Sequence, residues 1–336
     1  MTAERTRVDD LTEDILAAPD ELATAIDLHN RGIAALPEEL LDRPRWVLIG
    51  MGSSGFAARD AAAALRSVGH DAIAEVASAS GPTPPGADTL AIVISNSGRT
   101  AEAVAAATRH HHRSGVIAIT AEPASALAAE ADAVLPLVAE HRETSGIATL
   151  SSRSTVAALR LLAGAVDPTL AGTGIASAVP SLETLLDDRA AWLTRAGDVL
   201  ATGRPVHVLG DGLRIGGVEQ AALMLREAPR IEAFAWETGD WLHVGLYTLF
   251  PGDAVLLFSG SPADDEAIGA AHARGARVVV VGGDRDDSDL HVPLPTMVTD
   301  DPAIRSLVES AIPELLAAEM WARAAATTVS EDQAPG

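Results

Sequence analysis

Three hydroxyl side chains, those of Ser95, Ser97 and Thr100, lie within six residues of one another. They follow the apolar run 90–94 and precede the alanine-rich run 101–106, so we expect a turn between a buried strand and a helix. Unpaired N–H groups at a helix start carry the positive end of the helix dipole, and together with hydroxyl donors they can bind a phosphate group. The alternative is that the two serines only cap the helix.

A second turn of the same kind follows the run 46–50 and leads into a predicted helix that starts near Phe56. When two such turns end strands of one α/β unit, they form a crevice at the carboxyl edge of the sheet. We therefore predict an anion site in this unit. The residues predicted to form it are Gly52, Ser53, Ser54, Ser95, Asn96, Ser97 and Thr100.

Two titratable side chains further along the chain are candidates for proton transfer. Glu227 shares one face of a predicted helix with Gln220 and Met224, and its charge at the carboxyl end opposes the helix dipole. His243 lies beside Trp241 in a glycine-flanked segment and can exchange a proton near neutral pH. Each has a simpler interpretation, as a solvated surface glutamate and as a core histidine bonded to a carbonyl group.

We predict no metal site and no cofactor. Successive side chains of the histidine run 110–112 point about 100° apart on a helix, so they cannot converge on one ion. The acidic run 284–289 lacks the glycine and the closing glutamate of a calcium-binding loop. We interpret this run as solvated charge.

The composition excludes several classes of function. The 336 residues are 48% hydrophobic and only 3% aromatic, which predicts two domains with aliphatic cores. The sequence contains no cysteine, which excludes disulfides and cysteine nucleophiles, and no lysine, which excludes a Schiff base with a substrate. The net charge of −23 argues against nucleic acids and anionic membranes as partners.

We find neither a membrane helix nor a signal peptide in the sequence. No apolar stretch approaches the roughly 18 residues that a membrane helix needs. Residues 1–5 also lack the pattern of a signal peptide. We expect a cytoplasmic protein.

The predicted fold class is α/β, with two tandem doubly wound parallel sheets and flanking helices. Residues 1–45 form an N-terminal helical segment in which Pro19 marks a break or a second helix start. The first α/β domain covers 46–172 and the second covers 173–329, followed by a disordered tail at 330–336. In the first domain we expect strands near 46–50, 72–76, 90–95, 115–120 and 133–137.

The second domain repeats the plan of the first, which indicates an internal duplication. Its glycine turn lies in 204–212, a helix follows over 214–227, further strands lie near 253–258 and 277–281, and the last helix covers 304–326. The counterpart of the anion turn, 258–262, contains a proline and precedes the acidic run 264–266. We therefore expect one anion site per chain, in the first domain.

These motifs resemble those of the sugar isomerase (SIS) family with two tandem domains, such as the isomerase half of glucosamine-6-phosphate synthase and related phosphosugar isomerases and deaminases. The resemblance covers nearly the whole chain. It rests on the segments 13–19, 52–54, 95–100, 143–148, 222–227 and 239–243. The family's Glu-x-x-Val-Ala segment resembles 143–148, where one more residue separates Glu143 from the Ile-Ala pair.

The resemblance implies a site for a sugar phosphate and a role for three further residues. Glu227 would be the general base, His243 would assist ring opening, and Glu143 would belong to the substrate site. In the family pattern this glutamate and this histidine are sixteen positions apart, as here. The histidine comes from the partner subunit in the family, so we expect a homodimer with a shared active site.

The expected reaction is aldose–ketose isomerisation, or deamination with isomerisation, of a hexose phosphate, in particular an amino hexose phosphate. Glutamine amidotransferase activity is not expected, because the sequence contains no N-terminal cysteine amidohydrolase domain. Synthase chemistry is not expected either, since the family's lysine in the helix is Met224 and residues 324–330 lack the Schiff-base lysine of the synthase. The alternative is a non-catalytic regulatory protein that binds a sugar phosphate, which the missing lysines favour.

Overall fold

The computed structural model describes residues 3–138, 143–170, 174–283, 287–298 and 301–332. The helices are α1 (Ala3–Leu16), α2 (Ala18–Ala34), α3 (Glu38–Leu41), α4 (Ser53–Ser67), α5 (Ala101–His110), α6 (Ala126–Ala129), α7 (Leu150–Val166), α8 (Ala178–Asp187), α9 (Leu193–Leu200), α10 (Ile215–Glu227), α11 (Thr238–His243), α12 (Asp264–Ala273), α13 (Pro302–Glu309) and α14 (Ala311–Asp332). The strands are β1 (Arg45–Gly50), β2 (Asp71–Val76), β3 (Thr89–Ile94), β4 (Gly115–Thr120), β5 (Ala133–Pro136), β6 (Val206–Gly210), β7 (Ala233–Glu237), β8 (Ala254–Phe258), β9 (Arg277–Val281) and β10 (Leu290–Val292). Short 3-10 helices span Ile175–Ser177, Asp188–Ala191, Gly212–Arg214 and Gly245–Thr248.

The strands form two five-stranded parallel sheets with the same internal order. The first sheet runs β2-β1-β3-β4-β5, and the second, read from its other edge, runs β7-β6-β8-β9-β10. Within each set of five strands the order is therefore 2-1-3-4-5, that of a doubly wound sheet. The predicted α/β class and the predicted repetition of the plan agree with this topology.

Helices cover both faces of each sheet, so the central strands are buried and apolar. In the first sheet, Leu48 and Ile92 face α4 and α7, whereas Val47 and Val93 face α5. In the second, Val208 and its neighbours face α10, whereas the opposite face packs against α11 and α12. Helices α4 and α10 contact each other between the two sheets, and α5 and α11 lie on the outer faces.

The N-terminal helices pack against helices of both units. Pro19 lies in the first turn of α2, which confirms the predicted second helix start. Helix α2 packs on α7, and α1 packs on α14. Leu11 and Ile15 are fully buried in one apolar cluster with Leu316 of α14.

The sequence analysis missed two edge strands and misplaced the end of the chain. Strands β7 and β10 were not predicted, because they lie at the edges of the second sheet and lack a continuous buried run such as that of β8. The last predicted helix is two helices, α13 and α14, and α14 continues to Asp332, so part of the predicted tail is helical. The predicted domain boundary at 172–173 and residues 284–286 of the acidic run lie outside the described residues.

Among the helices that the structure describes, none combines the length and the apolarity needed to cross a bilayer.

Candidate functional site

The two predicted anion turns lie next to each other at the carboxyl edge of the first sheet. Strand β1 pairs directly with β3, and Ile49 is in register with Val93 close to the end of both strands. From β1 the chain crosses to β2 on one side, and from β3 it crosses to β4 on the other side. This divergence is the topological switch point, where open α/β sheets bind their ligands.

The turn 95–100 leaves the start of α5 without a side-chain cap. Ser95 is buried, and its Oγ lies 3.1 Å from Oγ1 of Thr100. Thr100 is the N-cap residue but makes no capping bond, while Ser97 accepts only the N–H of Arg99, at 3.3 Å. Ser97 and Asn96 are exposed. In the described structure neither serine caps α5, so the first N–H groups of this helix lack side-chain acceptors.

Gly98 explains why the turn holds this shape. Its φ of 60° is in the left-handed region, and a Cβ there would overlap the side chain of Ser125. The carbonyl of Asn96 accepts the hydroxyl of Thr120 at 3.0 Å, which ties the turn to the end of β4. The sequence analysis missed Thr120 and Ser125; their only sequence signal is that a hydroxyl residue ends an apolar run and another starts a short helix.

The other turn contributes two further hydroxyl groups. Gly52 is the N-cap residue of α4, with φ of 52°, and makes no side-chain capping bond. Ser53 and Ser54 are half-buried in the first turn of that helix. Two helix starts without side-chain caps therefore flank the crevice at the switch point, which suits a bound anion.

Glu143 has a structural role that accounts for all of its hydrogen bonds to described residues. Its carboxylate accepts the N–H of Thr149 at 2.6 Å and both the N–H and the hydroxyl of Ser151, so it caps α7. Burial raises the pKa of Glu143, and these hydrogen bonds partly offset that rise. Asp14 of α1, which the sequence analysis missed, accepts the N–H groups and hydroxyls of Thr144 and Ser145.

Helix α10 runs antiparallel to α4 and carries Glu227 at its carboxyl end. Gly216 in its first turn contacts α4 at Asp60, Glu219 three residues later pairs with Arg59, and Gln220 shares a small cavity with Ser53 at the start of α4. The contacts therefore move towards the crevice as α10 proceeds. Seven more residues, about 10 Å of helix, separate Gln220 from Glu227.

The three residues on the predicted face of α10 differ in exposure. Gln220 and Met224 are buried and contact each other, whereas Glu227 is exposed in the single chain. Partial desolvation raises the pKa of Glu227, and the neighbouring Arg226 lowers it. The carboxylate is thus accessible to a ligand and is more basic than an ordinary glutamate.

His243 ends α11 on the outer face of the second sheet, opposite to α10. It is exposed, so the interpretation as a core histidine is wrong. The helix is anchored by Trp241, which is fully buried and donates its indole N–H to Nδ1 of His207 at 3.0 Å. Because Glu227 and His243 lie on helices that cover opposite faces of this sheet, one chain does not bring them together.

The crevice of the second sheet is filled by the protein's own side chains. Asp264 is buried, and its carboxylate accepts the N–H of Gly260 at 2.7 Å. Arg214 donates to the carbonyl oxygen of Ser259 at 2.7 Å and also pairs with Glu309. The two carboxylates, of Asp264 and Glu309, thus take the hydrogen bonds and the positive charge that an external anion would need.

The histidine run makes ordinary structural hydrogen bonds. Nδ1 of His110 lies 2.9 Å from Oγ of Ser114, and Nδ1 of His111 lies 2.9 Å from the carbonyl oxygen of Glu130. Within the described ranges no three histidine, aspartate or glutamate side chains are grouped so that they could hold a metal ion.

A family comparison covers the first sheet and both of its turns. Residues 39–164 match the SIS domain family model. The SIS match thus contains the crevice at the first switch point, while the second sheet lies outside it. No curated protein sequence matches the chain.

Solved structures match the chain over both sheets. The C-terminal domain of glucosamine-fructose-6-phosphate aminotransferase from Francisella tularensis is 17% identical, with a TM-score of 0.77, over 93% of this chain and 96% of that one. Tagatose-6-phosphate ketose/aldose isomerase from Escherichia coli is 19% identical, with a TM-score of 0.79, over 94% and 93%. Glucosamine-6-phosphate deaminase from Thermotoga maritima is 18% identical, with a TM-score of 0.71, over 94% and 95%. At these identities the likeness establishes a shared fold that includes the second sheet.

Proposed function

We propose that the chain is a double SIS protein that binds a hexose phosphate and transfers a proton between C1 and C2 of the sugar. The second sheet repeats the strand order of the SIS-matching unit, which supports the double arrangement. The names of the similar structures, two of which are an isomerase and a deaminase of sugar phosphates, support the substrate class. The substrate we favour is an amino hexose phosphate.

The phosphate group would bind at the first switch point. The uncapped start of α5 and the hydroxyls of Ser54, Ser97 and Thr100 supply donors without any lysine. Ser95 is buried and would act by orienting the Thr100 hydroxyl, to which it is bonded. Charge-assisted hydrogen bonds to an ionised phosphate would then fix one end of the sugar.

The antiparallel course of α10 along α4 is the observation that carries the catalytic proposal. It directs the carboxyl end of α10 towards the crevice, so that Glu227 could lie over the carbon atoms of a sugar held by its phosphate. An ionised carboxylate there would remove the C2 proton and return it to C1 through an enediol or enaminol. Since its pKa is raised, Glu227 is a better base at neutral pH than an ordinary glutamate.

A second copy of the chain would supply His243. The segment around it exposes three apolar side chains, Val244, Tyr247 and Phe250, of which Tyr247 is 76% exposed. Exposed apolar side chains grouped in this way are typical of a protein–protein contact. We propose a homodimer in which this segment reaches the crevice of the partner and the histidine assists ring opening.

The test is exchange of the C2 proton in deuterium oxide, followed by proton NMR, across a panel of hexose 6-phosphates and amino hexose 6-phosphates. We expect exchange with at least one sugar, and ammonia release in the same sample would assign deamination. Glu227→Gln should abolish exchange and leave affinity nearly unchanged, because its shape is preserved. The control is Glu183→Gln, at an exposed glutamate on α8.

A non-catalytic sugar-phosphate sensor is the second candidate. The separation of Glu227 and His243 across the second sheet and the lack of lysine favour it. Binding of a sugar phosphate without C2 exchange for any member of the panel would establish the sensor. Equal exchange by the wild type and Glu227→Gln would reject Glu227 as the base.

A further inference from the structure

Helix α10 receives its amino-terminal cap from the other unit. Asp60, in the middle of α4, accepts the N–H of Gly216 at 2.6 Å and the N–H of Gly217 at 3.1 Å. These are the second and third residues of α10, whose N–H groups an N-cap side chain normally satisfies. The residue at the N-cap position, Arg214, makes no such bond.

The two helices approach so closely here that only glycine fits. A Cβ on Gly216 would overlap the carbonyl oxygen of Phe56 and lie 2.8 Å from the Asp60 carboxylate. Arg59 and Glu219 form an ion pair across the same contact. One end of α10 is therefore fixed to α4 by a buried carboxylate and a close backbone contact, while the ion pair beside them is partly exposed to solvent and contributes little.

The same two helices connect the proposed phosphate site to the proposed base. Helix α4 starts at the crevice with Ser53 and reaches Asp60 two turns later. Helix α10 returns from Asp60 towards the crevice and ends at Glu227. Because a helix is a stiff rod, the lateral position of its amino end restricts where its carboxyl end lies.

We propose that Asp60 is a positioning residue: its ionised carboxylate holds the amino end of α10 and so keeps Glu227 in place over the sugar. This inference rests on the proposed function. Asp60 lies two turns of α4 away from Ser53, which starts the helix at the crevice, so its loss should affect the proton transfer and spare phosphate binding. A misplacement of about 1 Å can reduce a rate by about 100-fold.

The charges around Asp60 make this cap sensitive to pH. Burial raises the pKa of Asp60 to about 7, and the charge of Glu219 adds to the rise, while the two glycine N–H groups and Arg214 oppose it. On its own helix Arg59 is paired with Glu219. The other charged side chains near Asp60 form ion pairs with each other.

These other groups line the two cavities beside Asp60, where α7 faces α13 and α14. They are the ion pairs Arg153–Glu314 and Arg160–Asp301. At neutral pH Asp60 is thus part ionised. As the pH falls through about 7, the carboxylate loses its charge and holds the helix dipole less strongly.

The experiment compares kcat and KM of the full-length wild type and Asp60→Asn for C2 exchange between pH 5.5 and 9. At pH 8 we expect kcat of the variant to fall about 10-fold or more with KM within about 2-fold, since only α10 moves. The wild type should lose kcat as the pH falls through about 7, and Asp60→Asn should lack that inflection. Glu219→Gln is the matched control, because it removes a charge from the same contact and leaves the cap.

We also expect a specific result for the Glu219→Gln control. Without Glu219 the pKa of Asp60 should fall, so the inflection should move to lower pH while kcat at pH 8 stays within about 2-fold. An unchanged kcat in Asp60→Asn, a persistent inflection near pH 7 in that variant, or a rise in KM alone would overturn the positioning role.

Hydrogen exchange of the peptide that contains Gly216 and Gly217 separates this proposal from the proposed function. If Asp60 caps α10, exchange of that peptide at pH 8 should be faster in Asp60→Asn than in the wild type and in Glu219→Gln. If the wild type transfers no proton for any sugar, the proposed function fails, and the positioning role falls with it, whatever the peptide does. If the wild type turns over and Asp60→Asn turns over equally fast, only the positioning role is rejected.

Discussion

The two sheets have the same strand order, but different side chains line the crevices at their switch points. In each, a buried serine follows the strand, Ser95 after β3 and Ser259 after β8. Five residues later the first crevice has Thr100, a hydroxyl, and the second has Asp264, a carboxylate that bonds to the turn itself. The corresponding position thus holds a hydroxyl in the first turn and, in the second turn, a carboxylate that accepts a backbone N–H of the turn.

A repeated fold can divide its tasks between its two units. In the first unit the N–H groups at the start of α5 have no side-chain cap and could bind an anion. In the second unit Asp264 accepts the N–H of Gly260 in the turn, and α10 packs on α4 of the first unit. A phosphate and a carboxylate accept the same hydrogen bonds, so an internal carboxylate closes such a site without changing the backbone.

The largest expected effect comes from Gly98→Ala in the first crevice. Because a Cβ would overlap Ser125, the turn must move, and we expect glucosamine 6-phosphate binding to weaken by about 3 kcal/mol or more, measured by calorimetry. Gly260→Ala, in the corresponding turn of the second crevice, should lower stability and leave affinity unchanged. Equal losses of affinity in both variants would mean that the two crevices do not differ as described.

A smaller effect is expected from the hydroxyl groups. Ser97→Ala and Thr100→Ala should each weaken binding of the sugar phosphate by about 1 to 3 kcal/mol, the range for a hydrogen bond to a charged group. Glucosamine without the phosphate should show no change. Ser261→Ala tests the second turn and should not alter binding; if it does, that crevice also takes the ligand.

Removal of the internal carboxylate tests whether Asp264 closes the second crevice to an anion. We expect Asp264→Thr, which copies the first crevice, to lower the free energy of unfolding by about 1 to 2 kcal/mol, because the N–H of Gly260 loses its acceptor. Inorganic phosphate at tens of millimolar should recover part of that loss in urea unfolding and should do less for the wild type. A loss that phosphate does not reduce would show that more than one side chain closes the site.

The smallest expected effect is the pH dependence of kcat that Glu227, in the second unit, causes. Glu227 must be ionised to act as a base, and its raised pKa means that Asp60→Asn, which lacks the inflection near pH 7, should still lose kcat with falling pH at values above the usual range for glutamate. Affinity should follow the ionisation of the phosphate, whose second pKa is about 6. If the double variant Asp60→Asn/Glu227→Asp loses kcat at the same pH as Asp60→Asn, a group other than Glu227 causes this fall.

Much of the fold was predictable because its signals are local. Apolar runs of five or six residues predicted the central strands, and Pro19 predicted a helix start. Strands β7 and β10 were missed, because short edge strands depend on pairing with β6 and β9 more than on their own composition.

The candidate site was predictable in part for the same reason. The hydroxyl turns carry their signal within a few residues, whereas the bond from Asp60 to Gly216 joins residues 156 positions apart and has no local pattern. Glu143 was singled out by residue type, yet its hydrogen bonds are those of a helix cap. The sequence identified side chains whose chemistry suits a sugar-phosphate site. Only the packed structure shows which of them already form hydrogen bonds within the protein, as Glu143 does.

The contact between α1 and α14 has a consequence for how the protein is made. Arg7 lies over the ring of Trp321, 5.3 Å from its centroid, and Leu11 and Ile15 are buried with residues of α14. Ribosomes add about 5 to 20 residues per second, so α1 leaves the ribosome at least roughly 15 s before its binding surface exists. During that interval its apolar face lacks the contacts that α14 provides, and the nascent chain presents a segment that chaperones can recognise.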